Sequence, residues 1–221
     1  MCGRYTLGTP LEQLLEVFDV PGVSFDYQPR FNVTPTQDMP VVVADGAGGR
    51  KMGPLRWGLV PFWAKDPSIG NRMINARSET VAEKPAFKNA FRRRRCLVPA
   101  DGFYEWEKRT QGKVPHWIHQ PGARPFAMAG LWEKWAPEGQ DPLFTFTILT
   151  TDASPDLKHI HPRMPVILSP ETWDSWLDPE SDSQGLLDLL HAPPEGALEE
   201  WPVSTAVNSP ANDGPELVEW V

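Results

Sequence analysis

The feature that most constrains the fold of this 221-residue chain is a series of short strand-like segments. These segments do not alternate regularly with helices. Eight such segments are predicted, over residues 39–43, 51–58, 96–99, 103–107, 115–119, 125–130, 144–151 and 216–221. Because the sequence shows no strand–helix–strand period and no internal repeat, a parallel doubly wound sheet is not expected. The pattern predicts an α+β fold, mainly antiparallel, with a barrel-like β core.

Helices are predicted around this core, at its periphery. The first covers residues 10–20, where Thr9 can cap the helix, Pro10 suits its first turn and leucines recur at helical spacing. Further helices are predicted over residues 79–91, 169–176 and 183–191. The 25 prolines are spread along the chain and mark no linker. We therefore predict a single domain over residues 1–221.

Composition and cysteine usage narrow the class of protein. A hydrophobic content of 40% with ten tryptophans fits a globular protein. No apolar run is long enough to span a bilayer, and the N-terminus carries no export pattern. The two cysteines, Cys2 and Cys96, are too few for a disulfide framework and lack the spacing of a zinc site. We expect a cytoplasmic monomer without a metal or another cofactor.

The charge of the chain is unevenly distributed. The net charge is −8, yet residues 1–100 carry 14 Lys/Arg against 9 Asp/Glu, and residues 101–221 carry 7 against 20. Such asymmetry can place a basic face on an acidic protein, where the local field steers an anionic partner. The alternative is an acidic surface that keeps the protein soluble. Charge alone does not choose between them.

Cys2 is the residue with the most distinctive chemistry. Methionine is usually removed before a small residue, and this would leave Cys2 with a free α-amine beside its thiol. Ordinary pKa values of about 7.7–8.0 for the amine and 8.5 for the thiol make useful fractions of both reactive near neutrality. The amine would form an imine with an aldehyde, and the thiol would then close a five-membered thiazolidine. A cysteine at position 2 by chance is the simpler explanation when Cys2 is considered alone.

Three other segments hold polar groups with catalytic chemistry. Residues 73–80 supply the amide of Asn75 and the cation of Arg77. Glu105 lies between aromatic residues in a predicted strand, where burial would raise its pKa. His161 is followed closely by Arg163. Each has a plain structural explanation: a turn cap for Asn75, an ion pair of Glu105 with Arg77, and a satisfied core position for His161.

Two basic stretches suit nucleic acid. Residues 56–65 combine Arg56 and Lys65 with aromatic side chains of the sort that stack on exposed bases, although those aromatics could equally belong to the core. The arginines at positions 92–95 also invite a DNA-binding hypothesis. A charge run of this kind is more often a solvated helix end.

Taken in order, the motifs of the chain resemble those of the SRAP family, the SOS response-associated peptidases or abasic site processing proteins. The motifs are Met-Cys-Gly-Arg-Tyr at the N-terminus, Asn32-Val33-Thr34-Pro35-Thr36, Trp57-Gly58-Leu59-Val60-Pro61, Ile74-Asn75-Ala76-Arg77-Ser78-Glu79-Thr80, Cys96-Leu97-Val98-Pro99-Ala100-Asp101-Gly102-Phe103-Tyr104-Glu105-Trp106 and His161-Pro162-Arg163-Met164-Pro165. The resemblance closes with Val203-Ser204-Thr205 and Val207-Asn208-Ser209, so it runs nearly end to end.

The resemblance implies an SRAP fold and a covalent function. Members crosslink their mature N-terminal cysteine to abasic sites in single-stranded DNA, with lyase-like Schiff-base chemistry. By motif, Cys2 would be the nucleophile and Asn75 would orient the crosslink. Glu105 would exchange a proton beside the Cys2 amine, and His161 would help to open the sugar.

The same resemblance implies DNA contacts and partners. Arg4 and Arg77 would hold phosphates beside the lesion, and Arg163 is a further candidate. Phe62 and Trp63 would lie where the strand bends. The expected partner is single-stranded DNA with abasic sites, on the nucleoid, with replication-fork proteins as further candidates.

Two other functions remain open at this stage. The first is an N-terminal cysteine peptidase, which would require an oxyanion hole that the sequence does not reveal, or at least autoproteolytic removal of Met1. The second is a non-covalent single-strand binder.

Overall fold

The computed structural model describes residues 2–221. The strands are β1 Tyr5–Leu7, β2 Arg30–Val33, β3 Asp38–Ala44, β4 Arg50–Trp57, β5 Asn75–Arg77, β6 Arg95–Ala100, β7 Gly102–Arg109, β8 Gly112–His119, β9 Phe126–Trp135, β10 Leu143–Asp152, β11 Arg163–Pro165, β12 Ile167–Leu168 and β13 Glu199–Pro202. The α-helices are α1 Leu11–Val17, α2 Lys88–Arg93, α3 Trp173–Leu177 and α4 Ser183–Asp188.

Five of the strands close into a barrel. Their order is β10–β4–β3–β6–β9, and β9 pairs back onto β10. All neighbours in the ring are antiparallel except β4 and β10, which are parallel. The strand β5 continues along β10 in parallel, and β11 covers the end of β10 on its other side. The predicted barrel-like, mainly antiparallel core is confirmed.

A second, antiparallel sheet has the order β13–β8–β7–β1–β2. Its inner face packs on the barrel, where the rings of Tyr5 and Trp57 meet edge to face with centroids 5.2 Å apart. Its outer face carries Tyr104 and Trp117, which pack against the C-terminal segment around Val207. One cluster of buried apolar side chains therefore runs from the barrel into this sheet.

The helices differ from the sequence prediction in two places. The helix predicted over residues 79–91 forms only at Lys88–Arg93, because Pro85 cannot donate a backbone hydrogen bond and disfavours a helix through its position. Thr9 does not cap α1; its hydroxyl donates instead to Asp101 at 2.5 Å. None of the helices described for residues 2–221 has the length and apolar character that a bilayer crossing needs.

The C-terminal strand predicted over residues 216–221 is also wrong. Residues Pro215–Val218 form a 3-10 helix, and Trp220 makes a single antiparallel bridge to Val203. The proline at the first helical position and the buried Leu217 favour this turn over an extended strand.

A close contact between two glycines fixes the loop that follows β4. Gly58 has a φ of +125°, and a Cβ at this position would lie 2.6 Å from the carbonyl oxygen of Gly70. The Leu59 amide also donates to the Met73 carbonyl at 3.1 Å. The loop between these points is therefore held at its base, and it carries Phe62 on its outer part.

Candidate active site

Cys2 lies just before β1, at the end of the second sheet that faces the barrel. The Tyr104 amide donates to the Arg4 carbonyl at 3.0 Å and extends the β1–β7 pairing toward Cys2. Continued antiparallel pairing brings Cys2 to the part of β7 that contains Glu105. The Cys2 side chain is fully buried, and its Sγ lies 3.9 Å from the Arg4 carbonyl oxygen.

The surroundings of the Cys2 thiol change its pKa. Burial raises the pKa of this thiol far above its usual range, and the negative charge of Glu105 raises it further. Both effects oppose the useful fraction of thiolate near neutrality that the ordinary pKa predicts, because a buried anion beside a carboxylate is poorly solvated.

Glu105 and His161 meet next to Cys2. Glu105 is 4% exposed, and burial raises the pKa of its carboxyl, while the charge of His161 opposes that rise. Its Oε1 lies 3.9 Å from Nδ1 of His161. The predicted burial of Glu105 and the direction of its shift are confirmed. A carboxyl of this kind can hold a proton closer to neutral pH than an exposed one.

His161 sits in the turn between β10 and β11. Leu157 and Ile160 are buried and anchor this turn on the core. The Arg163 amide donates to Nδ1 of His161 at 3.1 Å. Nδ1 also lies 3.0 Å from the Arg163 carbonyl oxygen, so the backbone of Arg163 holds the ring in place.

Asn75 begins β5 and is joined to the Cys2 region through Trp57. Its Nδ2 donates to the Ile74 carbonyl at 3.0 Å, and the Trp57 Nε1 donates to the same oxygen at 2.9 Å. Trp57 in turn packs on Tyr5, as described above. The Asn75 Oδ1 is buried and has no hydrogen-bond partner among residues 2–221, so it can accept a bond from a ligand.

The four predicted catalytic residues are therefore only partly in contact. Electrostatic coupling and the 3.9 Å approach join Cys2, Glu105 and His161. Asn75 shares their surroundings through Trp57 without a recorded contact to them.

The cationic residues predicted to hold DNA fall into two groups. Arg163 donates through its two Nη groups to Glu79, to Asp152 at 2.9 Å and to the Thr150 backbone, so these donors are bound within the protein. Arg77, on β5 beside Asn75, is exposed. Phosphate binding by either residue stays a prediction, and exposure favours Arg77.

The predicted aromatic contacts lie on the surface. Phe62 and Trp63 are 55% and 50% exposed. Phe62 lines a groove of about 680 Å³ together with the exposed Arg92 and Arg93. Arg95 is different: it is buried and donates to the Phe91, Arg92, Trp176 and Asp178 carbonyls, so only part of the charge run faces solvent.

A metal centre is not formed by the side chains that the structure describes. Within residues 2–221, no group of three or more His, Cys, Asp or Glu side chains has the arrangement needed to hold a metal ion.

Comparison with known proteins assigns the family. A sequence model of the family described as SOS response associated peptidase (SRAP) matches residues 1–210. The chain belongs to the SRAP family. Abasic site processing protein YoaM of Bacillus subtilis (strain 168) is 43% identical over 223 residues, which cover 99% of this SRAP chain and 98% of the relative. Abasic site processing protein HMCES of Gallus gallus is 37% identical over 224 residues, covering 87% and 66%.

Solved structures share the SRAP fold seen here. A protein from Bacteroides thetaiotaomicron superposes with a TM-score of 0.91 at 23% identity, and the match covers 100% of both chains. That likeness concerns the fold alone. A phage-related protein from Bordetella bronchiseptica gives a TM-score of 0.72 at 29% identity, over 92% of this chain and 95% of the other.

Arg4 of this SRAP chain has a structural role that the sequence analysis did not assign. Its Nη1 donates to Asn32 Oδ1 at 2.8 Å and to the Val207 carbonyl at 2.6 Å, and its Nη2 reaches the Asn208 carbonyl at 3.3 Å. These bonds hold the segment before β1 against the C-terminal segment. The predicted phosphate contact of Arg4 stays a prediction.

Asn32 supports the Arg4 side chain, a role that the sequence analysis did not assign to it. It is fully buried, and its Nδ2 donates to the Val207, Ser209 and Asn212 carbonyls at 3.2, 3.0 and 2.8 Å. Asn32 thus holds both Arg4 and the loop that Arg4 contacts. Asn32 lies in one SRAP motif and Val207 in another, and this was the signal in the sequence that could have indicated their contact.

Proposed function

We propose that this protein processes abasic sites in single-stranded DNA by forming a covalent thiazolidine through Cys2. The observation that carries the proposal is the buried Glu105 carboxyl beside Cys2, with His161 at 3.9 Å. Relatives of nearly full length, at 43% and 44% identity, are named abasic site processing proteins, which supports the same substrate.

The proposed reaction begins at the amine of Cys2. Once Met1 has been removed, the amine attacks the aldehyde carbon of the opened sugar, and loss of one water gives an imine. Glu105 supplies the proton for the departing hydroxyl, because its raised pKa keeps a proton available. His161 protonates the ring oxygen and so opens the sugar.

The protonated thiol suits the second step. The nitrogen keeps one proton of the original amine, because Glu105 supplied the proton that left with the hydroxyl. The Cys2 sulfur then adds to the imine carbon, the electron pair of the C=N π bond moves to nitrogen to give the ring N–H, and Glu105 takes back the thiol proton, so that the carboxyl is restored. Asn75 Oδ1 accepts a hydrogen bond from the ring N–H and holds its orientation, in keeping with its unmet acceptor capacity.

The protonation state of the thiol also separates the proposal from peptidase chemistry. A cysteine peptidase needs a thiolate, which neighbours stabilise by lowering the thiol pKa. Here burial and Glu105 raise the pKa of Cys2 instead. An attack that starts at the amine tolerates such a thiol, and this favours crosslinking over peptide hydrolysis.

We assign single-strand binding to residues exposed on the surface. Arg77 would hold a phosphate, and Phe62 and Trp63 would stack on bases. The groove at Phe62 adds two more exposed guanidinium groups, Arg92 and Arg93, to the same aromatic side chain. This groove lets an acidic protein of net charge −8 bind a polyanion locally.

Intact mass spectrometry of the purified protein, with and without an abasic single-stranded oligonucleotide, tests the proposed function. We expect a mature chain that lacks Met1, and an adduct equal to protein plus DNA minus one water. Undamaged DNA of the same sequence is the control. A chain that keeps Met1, or the absence of any adduct, contradicts the proposal.

Removal of the two groove arginines is expected to weaken DNA binding without affecting the chemistry. The double variant Arg92→Ala/Arg93→Ala should lower single-strand affinity by about tenfold at low salt and reduce the salt slope by about 1.4, at about 0.7 for each phosphate contact. Fluorescence anisotropy at several salt concentrations measures both quantities.

The matched control removes two cations elsewhere. Lys108 and Lys113 are exposed and face each other across the β7–β8 hairpin. Lys108→Ala/Lys113→Ala makes the same change in net charge. An equal loss of affinity in the two double variants would show that overall charge, and not the groove, determines binding.

A further inference from the structure

A second polar cluster lies on the inner face of the antiparallel sheet, beside Glu105. Glu105 and His116 are direct partners in the β7–β8 pairing. Direct cross-strand partners point to the same face, with Cβ atoms about 5 Å apart. Glu107, two residues further along β7, shares this face. His116 is 4% exposed, whereas the side chains of Glu107 and Glu200 are 19% and 28% exposed, so the cluster runs from a buried ring toward the protein surface.

The His116 ring lies between two carboxylates. Its Nδ1 is 2.6 Å from Glu200 Oε2, and its Nε2 is 3.2 Å from Glu107 Oε2. A carboxylate oxygen therefore faces each nitrogen of the ring. The guanidinium of Arg109 lies 2.6 Å from Glu107 and brings a positive charge to the same cluster.

Glu200 connects this ring to the turn that carries His161. While its Oε2 binds His116, its Oε1 lies 3.9 Å from His159 Nε2. His159 precedes His161 by two residues, and its Nδ1 binds the Asp156 carbonyl at 2.8 Å. The carboxylate therefore bridges a strand of the sheet and the turn on the opposite side of the active site.

We infer that His116 and Glu200 are positioning residues that hold His161 against Glu105. Glu105 approaches His161, and the turn leads from His161 to His159. Glu200 then joins His159 to His116, which is the cross-strand partner of Glu105. The charged and titratable groups around His116 come from β7 (Glu105, Glu107, Arg109) and from β13 (Glu200), and Glu200 in turn approaches His159. The inference rests on the proposed function, because it assigns Glu105 and His161 to the crosslinking reaction.

The test is Glu200→Gln, with Glu199→Gln as its matched control. Glu199 is the neighbouring, exposed residue of β13, and it pairs with His119 instead. Single-turnover crosslinking over a range of protein concentrations separates the maximal rate from half-saturation. Glu200→Gln should lower the maximal rate by about tenfold, because a displaced His161 no longer meets the substrate. Half-saturation should not change, and Glu199→Gln should match wild type.

A second variant keeps the test decisive if Glu200→Gln folds poorly. His159→Gln breaks the bridge at a side chain that is 53% exposed, so the core is not disturbed. It should lower the maximal rate in the same direction. If both variants crosslink at the wild-type rate, the inference is wrong.

Nitrogen-15 spectra of the histidine rings give a readout that does not depend on activity. Glu200→Gln should shift the ring signals of His161. His161 signals that the substitution leaves unchanged would overturn the inference. If wild type forms no adduct at all, the proposed function fails, while these spectra still decide whether Glu200 positions His161.

Discussion

A Cys2→Ala protein is expected to give no DNA adduct that survives boiling in detergent. The N-terminal amine of this variant would still form an imine with the sugar aldehyde, but no thiol would be present to close the ring. Intramolecular ring closure carries a large proximity advantage, and a bare imine hydrolyses. We expect at least about a hundredfold less adduct than in wild type, measured on a denaturing gel.

Cys96→Ala is the matched control for this loss. Cys96 lies on β6, is as fully buried as Cys2, and has a pKa raised by burial alone. The same substitution there should leave crosslinking intact. Circular dichroism should show that both variants are folded, and anisotropy should show that both still bind the oligonucleotide. Equal adduct yields from Cys2→Ala and wild type would assign the linkage to another residue.

Glu105→Gln is expected to slow crosslinking by about a hundredfold, because general acid–base catalysis contributes at least that much.

The same variant should be more stable than wild type above pH 5. Burial raises the pKa of Glu105, so the folded protein keeps this proton to a higher pH than the unfolded chain does. Stability is then lost as pH rises from the unfolded pKa of about 4.3 through the folded pKa. Glutamine does not ionise and avoids this loss.

Urea unfolding at pH 5 and pH 8 measures the effect on stability. The gap between Glu105→Gln and wild type should be wider at pH 8. Glu12→Gln, at an exposed position on α1, is the control and should follow wild type at both values. If Glu105→Gln crosslinks at the wild-type rate, Glu105 takes no part in the mechanism. If the stability difference between the variant and wild type does not depend on pH, the buried Glu105 carboxyl does not ionise in this range.

Local patterns were sufficient for most of the sheet. Segments such as residues 39–43 and 144–151 combine buried β-branched or aromatic residues with clear ends, and both are strands. The helix predicted over residues 79–91 was too long, because the helix-forming residues there were given more weight than Pro85. The closure of the barrel was expected only in outline, because the parallel β4–β10 pair joins residues almost ninety positions apart.

The candidate site could also be predicted only in part from the sequence. The aromatic neighbours of Glu105 were enough to predict its burial and the direction of its pKa shift. The approach of His161 to Glu105 follows from strand register and could not be read from spacing. A sequence also cannot distinguish an arginine that faces solvent from one whose donors are used internally, which is why Arg4 and Arg163 were assigned to DNA and not to Asn32 and Glu79.

The bond from Arg4 to the Val207 carbonyl has a consequence for how the protein is made. A ribosome that has incorporated Arg4 must add 203 further residues before Val207 exists. Until Val207 has been added, the nascent chain lacks the carbonyl oxygen that helps to hold the N-terminal segment against the C-terminal segment. An aminopeptidase that trims the first residue during translation therefore meets an open substrate, whereas the finished protein presents a buried Cys2.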